Sequence, residues 1–184
     1  MTPKSYYRSK RNLCLGLTLL LLSGFTSTLW AQSYRILLSN DDGIESPLLI
    51  ALHQVLVALP EVEVVVSAPN ENQSGSSHST NGGPLVVERI QHEGEFFGYA
   101  VHGRPADAVR FGLYELGKDN AFDLVVSGIN RGSNVGDVSH LSGTIGAAME
   151  GIYNGVPAIA VSQEPEGVDA AASARFTAQL VTLY

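Results

Sequence analysis

Two adjacent carboxylates, Asp41 and Asp42, follow directly after a short apolar run. Two neighbouring negative charges repel one another, and a shared cation would convert that repulsion into joint ligation. Carboxylate, hydroxyl and amide oxygens suit Mg²⁺, Mn²⁺ or Ca²⁺ rather than a metal that prefers thiolates. The pair therefore indicates a divalent metal site. The alternative is an ordinary turn, because Asp-Asp-Gly also caps helices through carboxylate acceptors.

Two further polar stretches could complete such a site. Residues 68–75 include Ser74 and follow a β-branched run, while residues 127–134 include Asn130 and follow another apolar segment. Open α/β sheets bind ligands at the carboxyl ends of their strands. All three stretches are therefore expected at the same edge of the sheet, the one formed by those strand ends, which we call the rim. Residues 70–84 are too long for a plain connection, which favours a functional loop. Taken singly, Ser74 and Asn130 would be ordinary turn residues.

A predicted helix start supplies a second component, a site for an anion. Ser142, Gly143 and Thr144 precede a run of very small residues with helical character. Free N–H groups and the dipole at a helix N-terminus favour phosphate, and Ser and Thr add hydroxyl donors. Beside a metal, this start predicts a phosphate cradle. The alternative is simple N-capping by Ser142.

The elements that must position these residues alternate along the chain between strand and helix patterns. Such alternation with short links predicts an α/β fold with a mostly parallel sheet and helices on both faces. Apolar and β-branched runs indicate the strands, and apolar residues at helical spacing indicate the helices. The predicted strands cover residues 34–39, 62–67, 122–127 and 158–162, with a hairpin at 84–90 and 95–102, and helices at 48–59, 107–116, 142–153 and 168–184.

Residues 1–31 predict an export signal rather than part of the fold. Four basic residues lead into an apolar core of about ten residues, and Ala31 offers a small side chain for cleavage. The apolar core is shorter than the roughly 20 residues of a membrane span, although an uncleaved tether is the alternative. We therefore expect a mature chain of residues 32–184, periplasmic or secreted, without a stable membrane span after cleavage.

The mature chain would be strongly acidic. Four of the 11 basic residues and none of the 18 acidic residues lie within residues 1–31, so removing that segment leaves 7 basic against 18 acidic residues, a net charge of −11. This balance excludes nucleic acid as the expected partner, because nucleic-acid backbones require basic patches. The single cysteine, Cys14, leaves with the segment, so the mature chain contains no disulfide.

Five sequence blocks resemble those of the SurE family, the stationary-phase survival proteins. That family consists of metal-dependent phosphatases of nucleoside 5′- or 3′-monophosphates. The resemblance runs from Arg35 to about Ser162, with the blocks in the family's order. The blocks are residues 39–43 (SNDDG), 68–75 (AP, then QSG), 103–107 (GRPAD), 127–136 (SGINRGSNVG) and 142–151 (SGT, then AAMEG).

The resemblance implies a Rossmann-like core and a divalent cation, Mg²⁺ or Mn²⁺. It assigns the metal to Asp41, Asp42, Ser74 and Asn130, the set that the strand ends had already gathered. The positions that match residues around the phosphate are Asn40, Asn134, Ser142, Gly143 and Thr144. The implied substrate is a nucleoside monophosphate or another small phosphomonoester. The resemblance also implies a homodimer or tetramer, which family members build with a C-terminal segment. Because the sequence ends at Tyr184, we expect that segment to be missing, with exposed core surface and altered oligomerisation.

The resulting hypothesis is hydrolysis by a metal-activated water. Asp41 or Asp42 would orient or deprotonate that water, while N–H groups and Asn side chains neutralise the phosphoryl oxygens. An aspartyl-phosphate intermediate is the competing route. A non-catalytic nucleotide-binding protein is the second functional class, and a nucleotide-dependent glycosyltransferase is the third. The latter is disfavoured because a G-x-G-x-x-G turn is missing from the sequence.

Four histidines and one aspartate have expected roles outside the ligand set. His78 and His140 are candidate acids for the leaving alkoxide, although no family block supports either of them. His53, within a predicted helix, and His92, in the hairpin, are expected at the surface. Asp107 is expected to cap the helix that follows Pro105.

Overall fold

The computed structural model describes residues 33–183, and the predicted signal, residues 1–31, lies outside them. Its centre is a six-stranded sheet in the order β3-β4-β2-β1-β5-β6. Every neighbouring pair is parallel except β3 and β4, which form the predicted antiparallel hairpin. The strands are β1 (Tyr34–Ser39), β2 (Val62–Pro69), β3 (Val87–His92), β4 (Glu95–Val101), β5 (Leu124–Arg131) and β6 (Ala158–Gln163).

Helices cover both faces of the sheet, as the alternating pattern predicts. They are α1 (Pro47–Leu56), α2 (Pro105–Phe111), α3 (Gly143–Tyr153) and α4 (Ala170–Val181). A π-helical turn, Gly112–Leu116, continues α2, and a 3₁₀ helix, Gly136–His140, precedes α3. The helices α1 and α4 pack together on one face, and α2 and α3 pack together on the other. The α/β fold class is confirmed.

The middle strand β1 shows why the sheet is buried on both sides. Ile36 and Leu38 pack into the cluster formed with α1 and α4. Leu37 points the opposite way, into a smaller cluster with Val109 of α2 and Ala147 of α3. Alternate side chains of a strand face opposite sides of the sheet, so a strand covered twice has to be apolar throughout. The last residues of β1 therefore lie at the rim of a sheet that helices cover on both faces.

Several predicted boundaries are wrong, among them the following three. The strand predicted to end at residue 127 continues to Arg131, because Asn130 and Arg131 pair with Ser162 and Gln163 of β6. The hairpin begins at Val87 rather than at residue 84. The helix predicted from residue 107 begins at Pro105, whose fixed φ suits the first position of a helix.

Two histidines lie deeper than the sequence predicts. His53 and His92 are both half-buried, and their rings lie on Phe97 with centroids at 5.0 and 5.7 Å. Burial, followed by the proximity of His92, lowers the pKa of His53. The expectation that both are surface residues is therefore wrong. No helix within residues 33–183 has both the length and the apolar character that crossing a membrane requires.

Candidate functional site

Asp41 lies at the carboxyl end of β1, where the chain leaves the middle of the sheet. Its side chain is buried, and its Oδ1 accepts a hydrogen bond from the Thr144 hydroxyl at 2.5 Å. The main-chain N–H of Gln73 donates to the Asp41 carbonyl oxygen at 2.7 Å. One aspartate therefore contacts both the loop after β2 and the start of α3, as expected for residues at one rim.

The start of α3 packs directly against this carboxylate. A Cβ atom added to Gly143 would lie 2.8 Å from Asp41 Cβ and 3.0 Å from Asp41 Oδ2, so only glycine fits there. The positive end of the helix dipole stabilises a negative charge at this position. Ser142 caps the helix, and its hydroxyl accepts a hydrogen bond from the Ile145 N–H at 3.1 Å. The capping alternative for Ser142 is thus observed, while phosphate binding by residues 142–144 stays a prediction.

Asp42 has different surroundings from its neighbour. It is half-buried, and its Oδ1 accepts a hydrogen bond from Asn72 Nδ2 at 3.1 Å. Burial, and secondly the negative charge of Asp41, raise the pKa of Asp42 above its ordinary value, although Arg131 and Asn72 partly offset them. The carboxylate therefore holds a proton more readily than an exposed aspartate, which suits a group that exchanges protons.

Ser74 is tied to Asp42 through the same asparagine. The Ser74 N–H donates to Asn72 Oδ1 at 3.0 Å, whereas its hydroxyl forms no hydrogen bond within residues 33–183. The loop also packs on the turn after β1. A Cβ on Gly43 would lie 3.0 Å from the Glu71 carbonyl carbon, and the φ of Gly43 is +98°. Glycine is required there for both reasons.

Asn40 supplies an oxygen that has no hydrogen-bond partner among the described residues. The residue is 0% exposed, and its Nδ2 donates to the Gly43 carbonyl at 2.9 Å. Its Oδ1 is buried and accepts no hydrogen bond from any residue that the structure describes. Buried polar atoms are normally satisfied, so this acceptor is suited to a bound water or an ion at the rim.

The residues gathered at the rim fit a hard divalent cation. They offer two carboxylates, the free Ser74 hydroxyl and the Asn40 amide oxygen. Within residues 33–183, no cluster of three or more His, Cys, Asp or Glu side chains could hold a metal. Mg²⁺ commonly binds through one or two carboxylates and completes its shell with water and substrate phosphate. Two carboxylates are therefore an adequate protein contribution.

Asn130 and Asn134 lie on the next strand and its following loop. The Asn130 amide donates to the Gly132 carbonyl at 2.7 Å, and the Asn134 amide donates to the Ser162 hydroxyl at 2.9 Å. Within residues 33–183, neither amide forms a hydrogen bond with Asp41 or Asp42. The strand that carries them pairs with β1 through Ser39 and Ser127. Their assignments to metal and phosphate stay predictions.

His78 joins a buried carboxylate on α3. Its Nε2 lies 2.7 Å from Glu150 Oε2, and Arg110 donates to Glu150 Oε1 at 2.9 Å. Burial alone would raise the pKa of Glu150, but hydrogen bonds from Arg110, His78 and Asn154 outweigh it and hold that pKa below its ordinary value. His140 is exposed at the end of the 3₁₀ helix. The two histidines proposed as acids therefore have unlike surroundings.

Asp107 has the predicted capping role. Its Oδ2 accepts hydrogen bonds from the N–H groups of Arg104 at 3.0 Å and Asn81 at 2.8 Å. It therefore fixes both the start of α2 and the far end of the loop after β2.

Sequence reasoning missed two residues beside the carboxylates, Asn72 and Arg131. Both contribute to the surroundings of Asp42, and a small cavity beside it is lined by Arg131 and the start of α1. For Asn72, the available signal was its position two residues before Ser74, a spacing typical of Asx turns.

Comparison with known proteins identifies a family. Residues 36–184 match the family model described as "Survival protein SurE". The 5′-nucleotidase SurE of Petrotoga mobilis is 48% identical over 129 residues, which cover 70% of this chain and 50% of that protein. Its counterpart in Rhodopirellula baltica is 50% identical over 131 residues, which cover 71% and 51% respectively.

A solved structure agrees with both sequence comparisons. The SurE protein from Aquifex aeolicus matches with a TM-score of 0.72 at 39% identity, covering 81% of this chain and 59% of that one. The chain spans about half the length of the curated relatives it matches.

Proposed function

The chain belongs to the SurE family, and we propose on that premise that it carries the catalytic core of a metal-dependent phosphomonoesterase. Its substrates would be nucleoside 5′- or 3′-monophosphates, which it would hydrolyse to nucleoside and phosphate. One observation supports this proposal above the others. The carboxylate of Asp41 is bonded at 2.5 Å to Thr144 at the start of α3, so a metal ligand and an anion site share one contact.

The proposed metal ligands are Asp41, Asp42, Ser74 and Asn130, and the cation is Mg²⁺ or Mn²⁺. When bound, such a cation polarises a phosphoryl oxygen and makes water a better nucleophile at neutral pH. The two carboxylates divide the remaining work according to their surroundings. Asp41 is buried against the start of α3 and accepts the hydrogen bond from Thr144, so its carboxylate is held in one orientation.

Asp42 is the better candidate for the general base. It is only half-buried, and burial, followed by the charge of Asp41, raises its pKa in the metal-free protein. A base is most effective when its pKa lies near the working pH. Asp42 would orient the attacking water and accept its proton, while Asp41 remains an anionic ligand.

The start of α3 would hold the phosphate. Ser142, Gly143 and Thr144 are all buried, and a Cβ added to Gly143 would lie 3.0 Å from Asp41 Oδ2, so this helix start lies against the carboxylate. Fixed N–H donors stabilise the charge of the phosphoryl group without reorganising as the reaction proceeds. Asn40 and Asn134 are proposed as further neutral polar groups around the phosphate.

The decisive experiment is release of phosphate from AMP, GMP and p-nitrophenyl phosphate by the purified protein. We expect turnover with added Mn²⁺ or Mg²⁺ and its loss with EDTA, restored by excess metal. Asp41→Asn should abolish turnover while the circular dichroism spectrum remains unchanged. The matched control is Asp119→Asn, because Asp119 is an exposed aspartate in the turn before β5.

Two results would contradict the proposal. One is absence of metal-dependent phosphate release from all three substrates. The other is AMP binding, measured by calorimetry, without turnover, which would indicate a nucleotide-binding protein instead.

We also propose that the chain is exported to the periplasm or the medium and that it assembles as a homodimer or tetramer. The basic and apolar pattern of residues 1–31 supports export. Membership of the family supports assembly. Cell fractionation and light scattering of the purified protein test these two points separately.

A further inference from the structure

We propose that Asn72 is a positioning residue that holds two of the proposed metal ligands in register, an inference that rests on the proposed function. Its single side-chain amide makes two hydrogen bonds at once. Nδ2 donates to Asp42 Oδ1 at 3.1 Å, and Oδ1 accepts from the Ser74 N–H at 3.0 Å. Asp42 comes from the turn after β1 and Ser74 from the loop after β2, so the amide joins two separate segments.

An amide is the group that suits this place. Asp42 presents a carboxylate and needs a donor, while the main-chain N–H of Ser74 needs an acceptor. Aspartate in place of Asn72 would still accept from Ser74 but would set a third negative charge against Asp42. Alanine would provide neither bond. Only an amide of this length meets both requirements.

The contact leaves the ligand atoms themselves available. Asn72 engages the backbone of Ser74, whose hydroxyl forms no hydrogen bond within the described part of the chain. Asn72 bonds to Oδ1 of Asp42 and leaves Oδ2 to other partners, and the main-chain N–H of Arg131 also donates to this carboxylate. The neighbouring Gln73 N–H bonds to the Asp41 carbonyl at 2.7 Å, which ties the same three-residue segment to the other aspartate.

The consequence concerns metal affinity rather than folding. Asn72 is exposed, so its removal buries no unsatisfied group and leaves no cavity. Residues that orient metal ligands without touching the metal typically change metal affinity by about 10- to 100-fold when substituted. We place Asn72 at the lower end of that range, about tenfold, because its two bonds are accessible to water.

The test is Mn²⁺ binding to the full chain, measured by isothermal titration calorimetry without substrate. Asn72→Ala and Asn72→Leu, which both remove the amide without adding a charge, should each bind Mn²⁺ about tenfold more weakly than the wild type. Asn70→Ala is the matched control, since Asn70 lies in the same loop and its side chain makes none of these bonds. The melting temperature of the metal-free protein should be the same for all four proteins.

A double-mutant cycle separates positioning from a general loss of order. If Asn72 acts partly by placing the Ser74 hydroxyl, Asn72→Ala should weaken Mn²⁺ binding less in a Ser74→Ala background than in the wild type. Equal losses in the two backgrounds would remove Ser74 from the inference. The role of Asn72 would be overturned if Asn72→Ala bound Mn²⁺ with wild-type affinity. The same conclusion would follow if only the melting temperature of the metal-free protein fell while the Mn²⁺ affinity stayed unchanged.

These outcomes are distinguishable from failure of the proposed function. A wild type that releases phosphate from AMP with Mn²⁺, together with an Asn72→Ala variant of unchanged Mn²⁺ affinity, overturns the role of Asn72 alone. A wild type that binds no Mn²⁺ overturns both.

Discussion

The hydroxyl of Thr144 donates a hydrogen bond of 2.5 Å to Asp41, and both side chains are buried. This bond fixes the orientation of the Asp41 carboxylate, so the side chain does not have to change its rotamer when a cation binds. Hydrogen bonds to ionised groups contribute about 1.5–3 kcal/mol each, more than bonds between neutral groups.

Thr144→Val should therefore weaken Mn²⁺ binding by about tenfold and reduce phosphate release, because the shape is kept while the donor is lost. Calorimetry and initial rates measure the two effects. Thr177→Val is the control, since Thr177 is equally buried but bonds to the Ser173 carbonyl within α4. Unchanged Mn²⁺ affinity in Thr144→Val would exclude this bond from the metal site.

Gly146 permits the loop after β2 to lie on α3. A Cβ there would overlap the Ser77 carbonyl and would lie 2.6 Å from its carbon, and backbone atoms cannot move aside cheaply. Gly146→Ala should destabilise the protein by about 1–3 kcal/mol through overpacking, which exceeds the roughly 0.5–1 kcal/mol that alanine gains in a helix. Urea unfolding measures the net change.

Gly82→Ala is the control for this substitution. A Cβ at Gly82 would meet no atom within 4 Å, so its stability should match or exceed that of the wild type. Stabilisation by Gly146→Ala would show that the loop and the helix can separate without loss.

The lowered pKa of Glu150 predicts that the protein loses stability in acid. Its pKa is held below the ordinary value because the bonds from Arg110, His78 and Asn154 outweigh its burial. A carboxylate with a depressed pKa stabilises the fold above its unfolded pKa of about 4.3, and that stability is lost as the pH falls through the folded pKa.

Glu150→Gln should cost about 2 kcal/mol at pH 7. It should also lose less stability than the wild type on acidification below pH 4.3. Chemical unfolding at both pH values measures the difference. Glu115→Gln, which alters an exposed carboxylate, should behave like the wild type. Parallel pH profiles for Glu150→Gln and the wild type would contradict the prediction.

Arg131 predicts a shift in the pH dependence of metal binding. It lowers the pKa of Asp42, which burial and Asp41 raise. A cation must displace the proton of Asp42, so affinity falls as the pH drops through that pKa. Arg131→Ala keeps the main-chain N–H that bonds to Asp42 but removes the side-chain charge, so it should raise the pKa of Asp42 and move the midpoint of the Mn²⁺ affinity profile to higher pH. Calorimetry over a pH series measures the midpoint, and Arg175→Ala, on α4, should not move it.

One contact at the rim was predictable, because parallel strands bring their carboxyl ends to the same edge of the sheet. Asp41 and Thr144 meet as expected from a carboxylate after β1 and a helix start at the same edge. The extension of β5 was not predictable in this way. Gly128 and Asn130 have low strand propensity, yet pairing between Asn130 and Ser162 of β6 keeps the chain extended. Tertiary pairing overrides local propensity there.

Contacts between side chains that are distant in the sequence could not be predicted, for a different reason. Nothing in the pattern around His78 or Glu150 indicates that these two residues meet, because 72 positions separate them. The role of Asn72 depends likewise on which side chain its amide faces. Local patterns predict elements and their order, whereas such bonds depend on how the packed elements are rotated.

The sheet order places β1 between β2 and β5, and the bond between Asp41 and Thr144 closes a span of 103 residues. Contacts between residues so far apart in the sequence form late in folding. The entropy cost of closing the chain has to be met before such a contact can stabilise it. The rim therefore forms only after β2 and β5, with the helices that connect them, have packed on either side of β1. A refolding chain should regain its helical circular dichroism before it regains Mn²⁺ uptake, and the cation would then report the final step of assembly.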